Sequence, residues 1–403
     1  MNAEPSPSHA APAGAELHAR TRLIHGPDTV ERVGDLALEL GARAVLLVTD
    51  PGIAQAGHAA RVERLLQQAG LGVVVFAEAG ENPTTHDVDR CLRVARESGI
   101  DFLVGLGGGS AMDTAKGCNF LLTNGGRMQD YWGVGKAAKP MLPLIAIPTT
   151  AGTGSECQSA ALIADADTHQ KMACLDPKAA ARVAILDPVL TLSQPPRVTA
   201  CTGIDALTHA VEAAVTRKRN PFSSLYAHEA FRLTAGSLAR VMQHPLDLDA
   251  RGRMQLGAAF AGLAIEHSML GAAHSTANPL TAHFQVVHGQ AVGLMLPAVM
   301  RFNTGDPAAL RIYADLAAIL GLPGALQDPA TAARALIIHV EALLNDAHLP
   351  ASLADCGVPH GAIPRLAEEA ARQWTAQFNP RPVTPQDFVG LYEAAFQPRT
   401  RAA

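Results

Sequence analysis

The chain has 403 residues, enough for two or three domains and a large core. Apolar residues make up 48% and charged residues 17%, and the net charge of −5 comes without any Lys/Arg-rich run, which argues against a nucleic-acid or anionic-membrane partner. No apolar stretch approaches the roughly 20 residues needed to span a bilayer, and the six cysteines are scattered without a C-x-x-C pair, as expected of free thiols in a reducing, cytoplasmic setting.

Residues 1–20 are rich in Ala, Pro and Ser and lack an apolar h-region, so they read as a disordered tail and not a secretory signal. Beyond the tail, short apolar runs alternate with helical patterns. Ala44–Thr49, Leu71–Phe76, Phe102–Leu106 and Leu142–Ile147 read as buried strands, and Ala54–Ala69 and Asp87–Ser98 as helices between them. This alternation predicts an α/β unit with a parallel, Rossmann-like sheet covered on both faces. A hairpin or edge element is expected over Ala160–Leu175 and a further strand at Val183–Leu186.

Pro195-Pro196 marks a change of character, and a domain boundary is placed there: 21–195 α/β, 196–403 all-helical. The second part carries Ala/Leu-rich helical patterns at Cys201–Thr216, Pro221–Gln243, Arg251–Ala273, Gly289–Phe302, Pro307–Leu320 and Thr331–Ala347.

Two loops suit a nucleotide. Gly107-Gly108-Gly109-Ser110 joins a strand to a helix start, where free backbone N–H groups attract a pyrophosphate and glycine permits close approach. Ser110 and Asp113 also form a capping-box pattern, an alternative use of both side chains. The first strand is not followed by G-x-G-x-x-G, but Asp50 at its C-terminal end can accept from a ribose 2′-hydroxyl and repel a 2′-phosphate, favouring NAD over NADP; it also suits the start of an Asp-Pro-Gly turn. The second loop, Pro148-Thr149-Thr150-Ala-Gly-Thr153-Gly-Ser155-Glu156, offers hydroxyls and small residues to the same ligand. Two such loops at the C-terminal edge of a parallel sheet lie where open α/β sheets bind ligands.

A third motif lies in the helical part. Asp205 and His209 stand at i and i+4, on one helix face about 6 Å apart along the axis at ~1.5 Å per residue. His274 and His288 follow, with Pro279 between them expected to interrupt the helix and let His288 return to the same point. One carboxylate and three imidazoles suit a divalent first-row metal. Taken alone, the same residues also read as a helix cap and three of 16 ordinary histidines.

With Gly107-Gly-Gly-Ser-x-x-Asp113-x-x-Lys116, Pro148-Thr-Thr-Ala-Gly-Thr-Gly-Ser-Glu156, Asp205-x-x-x-His209 and His274…His288-Gly in this order, the chain resembles the iron-containing (group III) alcohol dehydrogenases over roughly 21–395. The resemblance implies a dehydroquinate synthase-like fold and a metal held by Asp205, His209, His274 and His288. It implies NAD(H) bound through Asp50, Gly107, Gly108, Gly109, Ser110, Asp113, Thr149, Thr150, Thr153 and Ser155, with Asn82 and Lys171 at further cofactor-contact positions. Two departures bear on proton transfer. Asn278 stands where many members carry a histidine, and His267 stands seven residues before His274 where Asn is common. On one continuous helix His267 and His274 would share a face, so His267 is a candidate relay or orienting group, and a helix histidine with no such role is the alternative.

The implied activity is hydride transfer between nicotinamide and a small alcohol or aldehyde, the metal lowering the pKa of the alcohol or polarising the carbonyl. Related frameworks leave three alternatives: a hydroxyacid–oxoacid transhydrogenase, a dehydroquinate synthase-like lyase, and a catalytically silent binding protein. The first needs basic residues near the metal, whereas the Arg217-Lys218-Arg219 cluster reads as a solvated helix end; the second needs a Lys/Arg-lined phosphate pocket, which the sequence does not show; and the complete Asp/His/His/His set argues against the third. A homo-oligomer, a dimer or larger, is expected.

Overall fold

The computed structural model describes residues 16–396 except 19 and 169, so most of the expected tail lies outside the described residues. The first part contains β1 (Arg22–His25), α1 (Val33–Glu39), β2 (Ala44–Val48), α2 (Pro51–Gln55), α3 (His58–Gln68), β3 (Gly72–Phe76), α4 (Thr85–Ser98), β4 (Phe102–Gly107), α5 (Gly109–Asn124), β5 (Gly133–Val134), β6 (Leu144–Pro148), β7 (Ala160–Ala164), β8 (Lys171–Leu175) and β9 (Val183–Leu186). Six of the strands form one parallel sheet in the order β1-β9-β6-β4-β2-β3. The inner strands bury both faces, as their continuous Val/Ile/Leu runs require. One core lies on each side: Val45, Leu47, Phe102 and Ile145 face α1 and α3, while Leu46, Leu103 and Ala146 face α4 and α5. A small second sheet, β5-β8-β7, pairs β7 and β8 as the expected antiparallel hairpin.

Strand β1 was not apparent in the sequence; its four residues are too few to show a period, and it is held by parallel pairing to β9 from 160 residues away in the chain. The helix expected over Ala54–Ala69 is two, because Gly57 takes a left-handed φ of 84° between α2 and α3.

The second part begins with α6 (Pro196–Val215), whose N1 proline suits a helix start. There follow α7 (Pro221–Ala235), α8 (Leu238–Gln243), α9 (Leu248–Glu266), α10 (Ala272–Phe284), α11 (His288–Asn303), α12 (Pro307–Ile319), α13 (Pro329–Asp346), α14 (Ile363–Arg372) and α15 (Pro385–Phe396). They share one core built on α6, with Leu207, Phe231, Leu296, Tyr313, Leu336 and Tyr392 buried in it. No helix among the described residues is long and apolar enough to cross a membrane.

Three helix boundaries differ from the sequence expectation. The run Pro221–Gln243 is divided at Gly236-Ser237 into α7 and α8. The run Arg251–Ala273 breaks at 267–271, so α9 ends before His267 and α10 starts afresh at Ala272. Pro279 does not end a helix: α10 runs through it to Phe284. The proline removes the donor for the Ser275 carbonyl, but the turn is buried, and Tyr392 packs against it and donates through Oη to the neighbouring Thr276 carbonyl at 2.8 Å, so tertiary packing holds the helix. The reversal that brings His288 back is made instead by Gln285, left-handed at φ 55°.

Candidate active site

Both nucleotide-type loops lie at the C-terminal ends of neighbouring strands, Gly107–Gly109 after β4 and Thr149–Ser155 after β6. Their glycines are where segments of the chain interlock. A Cβ at Gly109 would stand 2.9 Å from Thr153 Oγ1, and one at Gly107, whose φ is 146°, would stand 3.1 Å from Asp50 Oδ2. Asp50 caps α2, accepting from Ile53 N at 3.0 Å, so the turn alternative is realised and its second oxygen still faces the glycine loop. Asn82 is left-handed at φ 54°, and its N–H donates to Ser110 Oγ at 3.3 Å, which brings the 81–83 turn to the start of α5.

The capping-box alternative for Ser110 and Asp113 is not realised, because α5 starts earlier with Gly108 as its N-cap. Asp113 is instead buried and tied to the second loop: Ser155 Oγ donates to its Oδ1 at 2.8 Å and Leu162 N to its Oδ2 at 3.2 Å. Lys116 completes the knot. Fully buried, its Nζ lies within hydrogen-bonding distance of Ser155 O (2.6 Å), Ser155 Oγ (2.9 Å), Gln158 O (2.8 Å) and Ala160 O (3.0 Å). Asp113, Ser155 and Lys116 thus shape the loops from within, while Gly108, Ser110, Thr150 and Thr153 line them. Thr149 Oγ1 is buried with no hydrogen-bond partner, left for a group outside the chain.

The metal-type residues converge. Asp205 and His209 on α6 and His274 on α10 present ligand atoms that all lie within 4.8 Å of one another. Asp205 Oδ1 stands 3.4 Å from His209 Nε2, 3.6 Å from His274 Nε2 and 3.8 Å from His288 Nε2, the last at the first residue of α11. Asp205 Oδ1 and His274 Nε2 are buried without a hydrogen-bond partner, and a point between them is where a cation would satisfy both. One carboxylate and three nitrogens at these separations fit a divalent first-row ion.

Glu212, which the motif search passed over, orients this set. Its Oε2 lies 2.5 Å from His274 Nδ1 and its Oε1 accepts from Ala273 N at 2.7 Å, which directs Nε2 of His274 at Asp205. The sequence signal was present: Asp205, His209 and Glu212 stand at i, i+4 and i+7 of one helix face.

Charge is balanced tightly here. Burial opposes ionisation of Asp205, but His209, His274 and His288 outweigh it and hold the carboxyl well below the usual range. Burial would lower His274, yet Glu212 and Asp205 raise it to about 9. Burial lowers His209, and it pushes His288 down to about 3 with the Lys171 charge adding to the shift. Lys171 is an exposed residue at the start of β8; desolvation lowers its pKa, while the charges of Asp113 and Asp205 raise it.

Neither proton-transfer candidate falls in the cluster. His267 is the C-cap of α9, its ring 6.2 Å from Tyr226 in a stacked arrangement, and the helix that would have aligned it with His274 ends between them. Asn278, one turn beyond His274 on α10, donates through Nδ2 to Gln373 Oε1 at 3.0 Å.

Models of two family segments match the chain: iron-containing alcohol dehydrogenase over residues 20–188, and the C-terminal part of the Fe-containing alcohol dehydrogenase family over 199–396. Among characterised proteins it is 34% identical over 372 residues to the NAD-dependent methanol dehydrogenase of Bacillus methanolicus, covering 92% of this chain and 97% of that one. It is likewise 34% identical over 376 residues to the lactaldehyde reductase of Escherichia coli K12, covering 92% and 97%. A crystal structure of 1,3-propanediol oxidoreductase superposes with a TM-score of 0.90 at 32% identity, covering 93% of this chain and 98% of that one. The chain belongs to the iron-containing alcohol dehydrogenase family, and is an NAD(H)-linked, metal-dependent oxidoreductase of the alcohol dehydrogenase/aldehyde reductase class.

Proposed function

We propose that this enzyme interconverts a small, uncharged primary alcohol and its aldehyde, with Asp205, His209, His274 and His288 as the ligands of one Fe²⁺ or Zn²⁺. The observation that carries the reading is the convergence of three imidazole Nε2 atoms on the partnerless Asp205 Oδ1, beside Lys171 and the second nucleotide loop. A divalent ion there supplies Lewis acidity that makes a substrate hydroxyl more acidic near neutral pH.

The chain supplies the rest. Gly107–Gly109 and the start of α5 offer backbone N–H groups to a pyrophosphate, and Asp50 Oδ2 is placed for a ribose hydroxyl. Thr149, Thr150 and Thr153 of the second loop would line the bound cofactor, and Asn82 and Lys171 would make further contacts to it. Glu212 holds the His274 ring in the tautomer that leaves Nε2 free. Asn278 cannot exchange a proton, and His267 lies outside the cluster at the end of α9, so the released proton leaves through solvent. The chain is further read as a cytoplasmic homo-oligomer, a dimer or larger; the outer edge of β1, which has no strand partner among the described residues, supports self-association.

The test is NADH formation at 340 nm with apo-protein reconstituted anaerobically with Fe²⁺ or Zn²⁺, across short alcohols and diols, beside His274→Ala. Metal-dependent turnover that the variant loses supports the reading. Tight metal binding with no NADH from any alcohol, and no NADH consumption with the aldehydes, rejects it.

A further inference from the structure

Away from the metal cluster, Arg251 on α9 is a buried cation without a counter-ion. It is 3% exposed, and burial lowers its pKa with no carboxylate contributing. Its Nε donates to the Pro245 carbonyl at 2.5 Å and its Nη1 to Gln194 Oε1 at 3.3 Å, both neutral acceptors; among the described residues its Nη2 has no partner. A buried charge with only neutral partners is costly unless something else compensates it.

The surroundings say what compensates it. Arg251, Gln194, Thr199 and Thr202 line one small cavity of about 10 Å³, the scale of a single water or a monatomic ion. Two further donors on its wall, Gln194 Nε2 and Thr199 Oγ1, are buried with no hydrogen-bond partner. Gln194 cannot turn its amide round, because its Oε1 already accepts from Arg251. The cavity also lies at the N-terminal turn of α6, a helix of 20 residues whose dipole adds positive potential. Guanidinium, amide N–H and hydroxyl therefore meet around a space that offers donors and a positive field. A water there could donate its protons to the Thr199 and Thr202 hydroxyl oxygens but would leave the guanidinium uncompensated, whereas a monoanion accepts from each donor and neutralises the charge.

We propose that this cavity is a binding site for one small inorganic monoanion of halide size. Oxyanions such as sulfate exceed the space. The cavity is walled on one side by Ala151 of the second nucleotide loop and on the other by Gln194 of the segment that leads into α6. The ion would fasten the connection between the two parts of the chain to the loop that meets the cofactor. This assignment stands whether or not the substrate reading above holds.

The experiment uses the full chain, with chloride or bromide compared with gluconate at matched ionic strength. The expected result is a saturable rise in Tm of about 1–2 °C with halide, the size of shift that a tenfold excess over Kd gives a chain of this length. Crystals grown in bromide should show an anomalous peak between Arg251 Nη2, Gln194 Nε2 and Thr199 Oγ1. Thr199→Val, which removes one donor at constant shape, should weaken halide binding about ten-fold while leaving the fold intact; Arg251→Met should abolish the halide response. A water at that position in bromide crystals overturns the proposal. So does a halide-dependent Tm that both variants retain, since the effect would then arise elsewhere.

Discussion

Within the metal-type cluster, Glu212 carries more of the geometry than any residue apart from the four ligands. Glu212→Gln keeps the hydrogen bond to Ala273 N but weakens the hold on His274 Nδ1, and metal affinity should fall by about 10–100-fold. Competition with a chelator measures this directly, and an unchanged affinity would show that His274 is oriented by its packing alone. Glu156 tests burial instead of ligation. Its carboxyl is buried beneath the second loop, and desolvation pushes its pKa up to about 7, with Lys116 opposing. A pKa raised on folding means that the folded state binds the proton more tightly. The favourable contribution is therefore full below about pH 4.5 and is lost as pH rises through about 7, some 3 kcal/mol in all by order of magnitude. Thermal unfolding of Glu156→Gln should be flatter than wild type from pH 5 to 8 and more stable at the upper end; parallel curves would contradict the assignment. The convergence of the four proposed ligands was legible because Asp205 and His209 share a helical spacing and His274 and His288 are chemically distinctive. In the sequence Lys116 stands out only as the last residue of the Gly107–Lys116 motif. That it ties two loops together depends on carbonyls more than 35 residues ahead in the chain, which no local pattern reveals.

The elements place the ligands through close helix contacts. Gly289, directly after His288, has no room for a side chain, since a Cβ would fall 2.0 Å from the Cys201 carbonyl on α6. Gly289→Ala should push α11 and His288 away from α6, at a cost of about 1–3 kcal/mol or more. Reduced metal content together with a lower Tm would show it, and a normal metal content would mean that α11 can shift without moving its ligand. The sheet and most helices could be read from sequence because buried parallel strands are continuous apolar runs and amphipathic helices repeat every 3.6 residues. The failures share a cause. Gly57, Gly236-Ser237 and the 267–271 segment break helices whose apolar pattern continues on either side, while Pro279 fails to break one because Tyr392 and the surrounding core support it. In each case tertiary packing overrode local preference.

Across the whole molecule, the nucleotide loops belong to the sheet-bearing part and the ligands to the helical part, so the reaction depends on how the two are joined. The tightest joint is backbone on backbone. Gly154 in the second loop, left-handed at φ 63°, abuts Gly262 on α9, where a Cβ would lie 2.3 Å from the Gly154 carbonyl. Ser159 N and Oγ donate to Glu266 at 2.9 Å and 2.7 Å just beyond it. Gly262→Ala should prise the second loop from α9 and raise KM for NAD about ten-fold with the metal retained; a changed metal content with unchanged KM would place the joint elsewhere. The two-part organisation was visible in the change of pattern at Pro195-Pro196, but this glycine contact was not, because each glycine reads alone as an ordinary loop or helix residue. Whether the Asp205/His209/His274/His288 cluster is the catalytic centre is tested most directly by titrating apo-protein anaerobically with Fe²⁺ or Zn²⁺ while following NADH formation. Turnover should rise linearly and stop at one equivalent of metal per chain, with none in Asp205→Ala at any metal concentration. Full turnover in the presence of excess chelator, or turnover retained by Asp205→Ala, would contradict it.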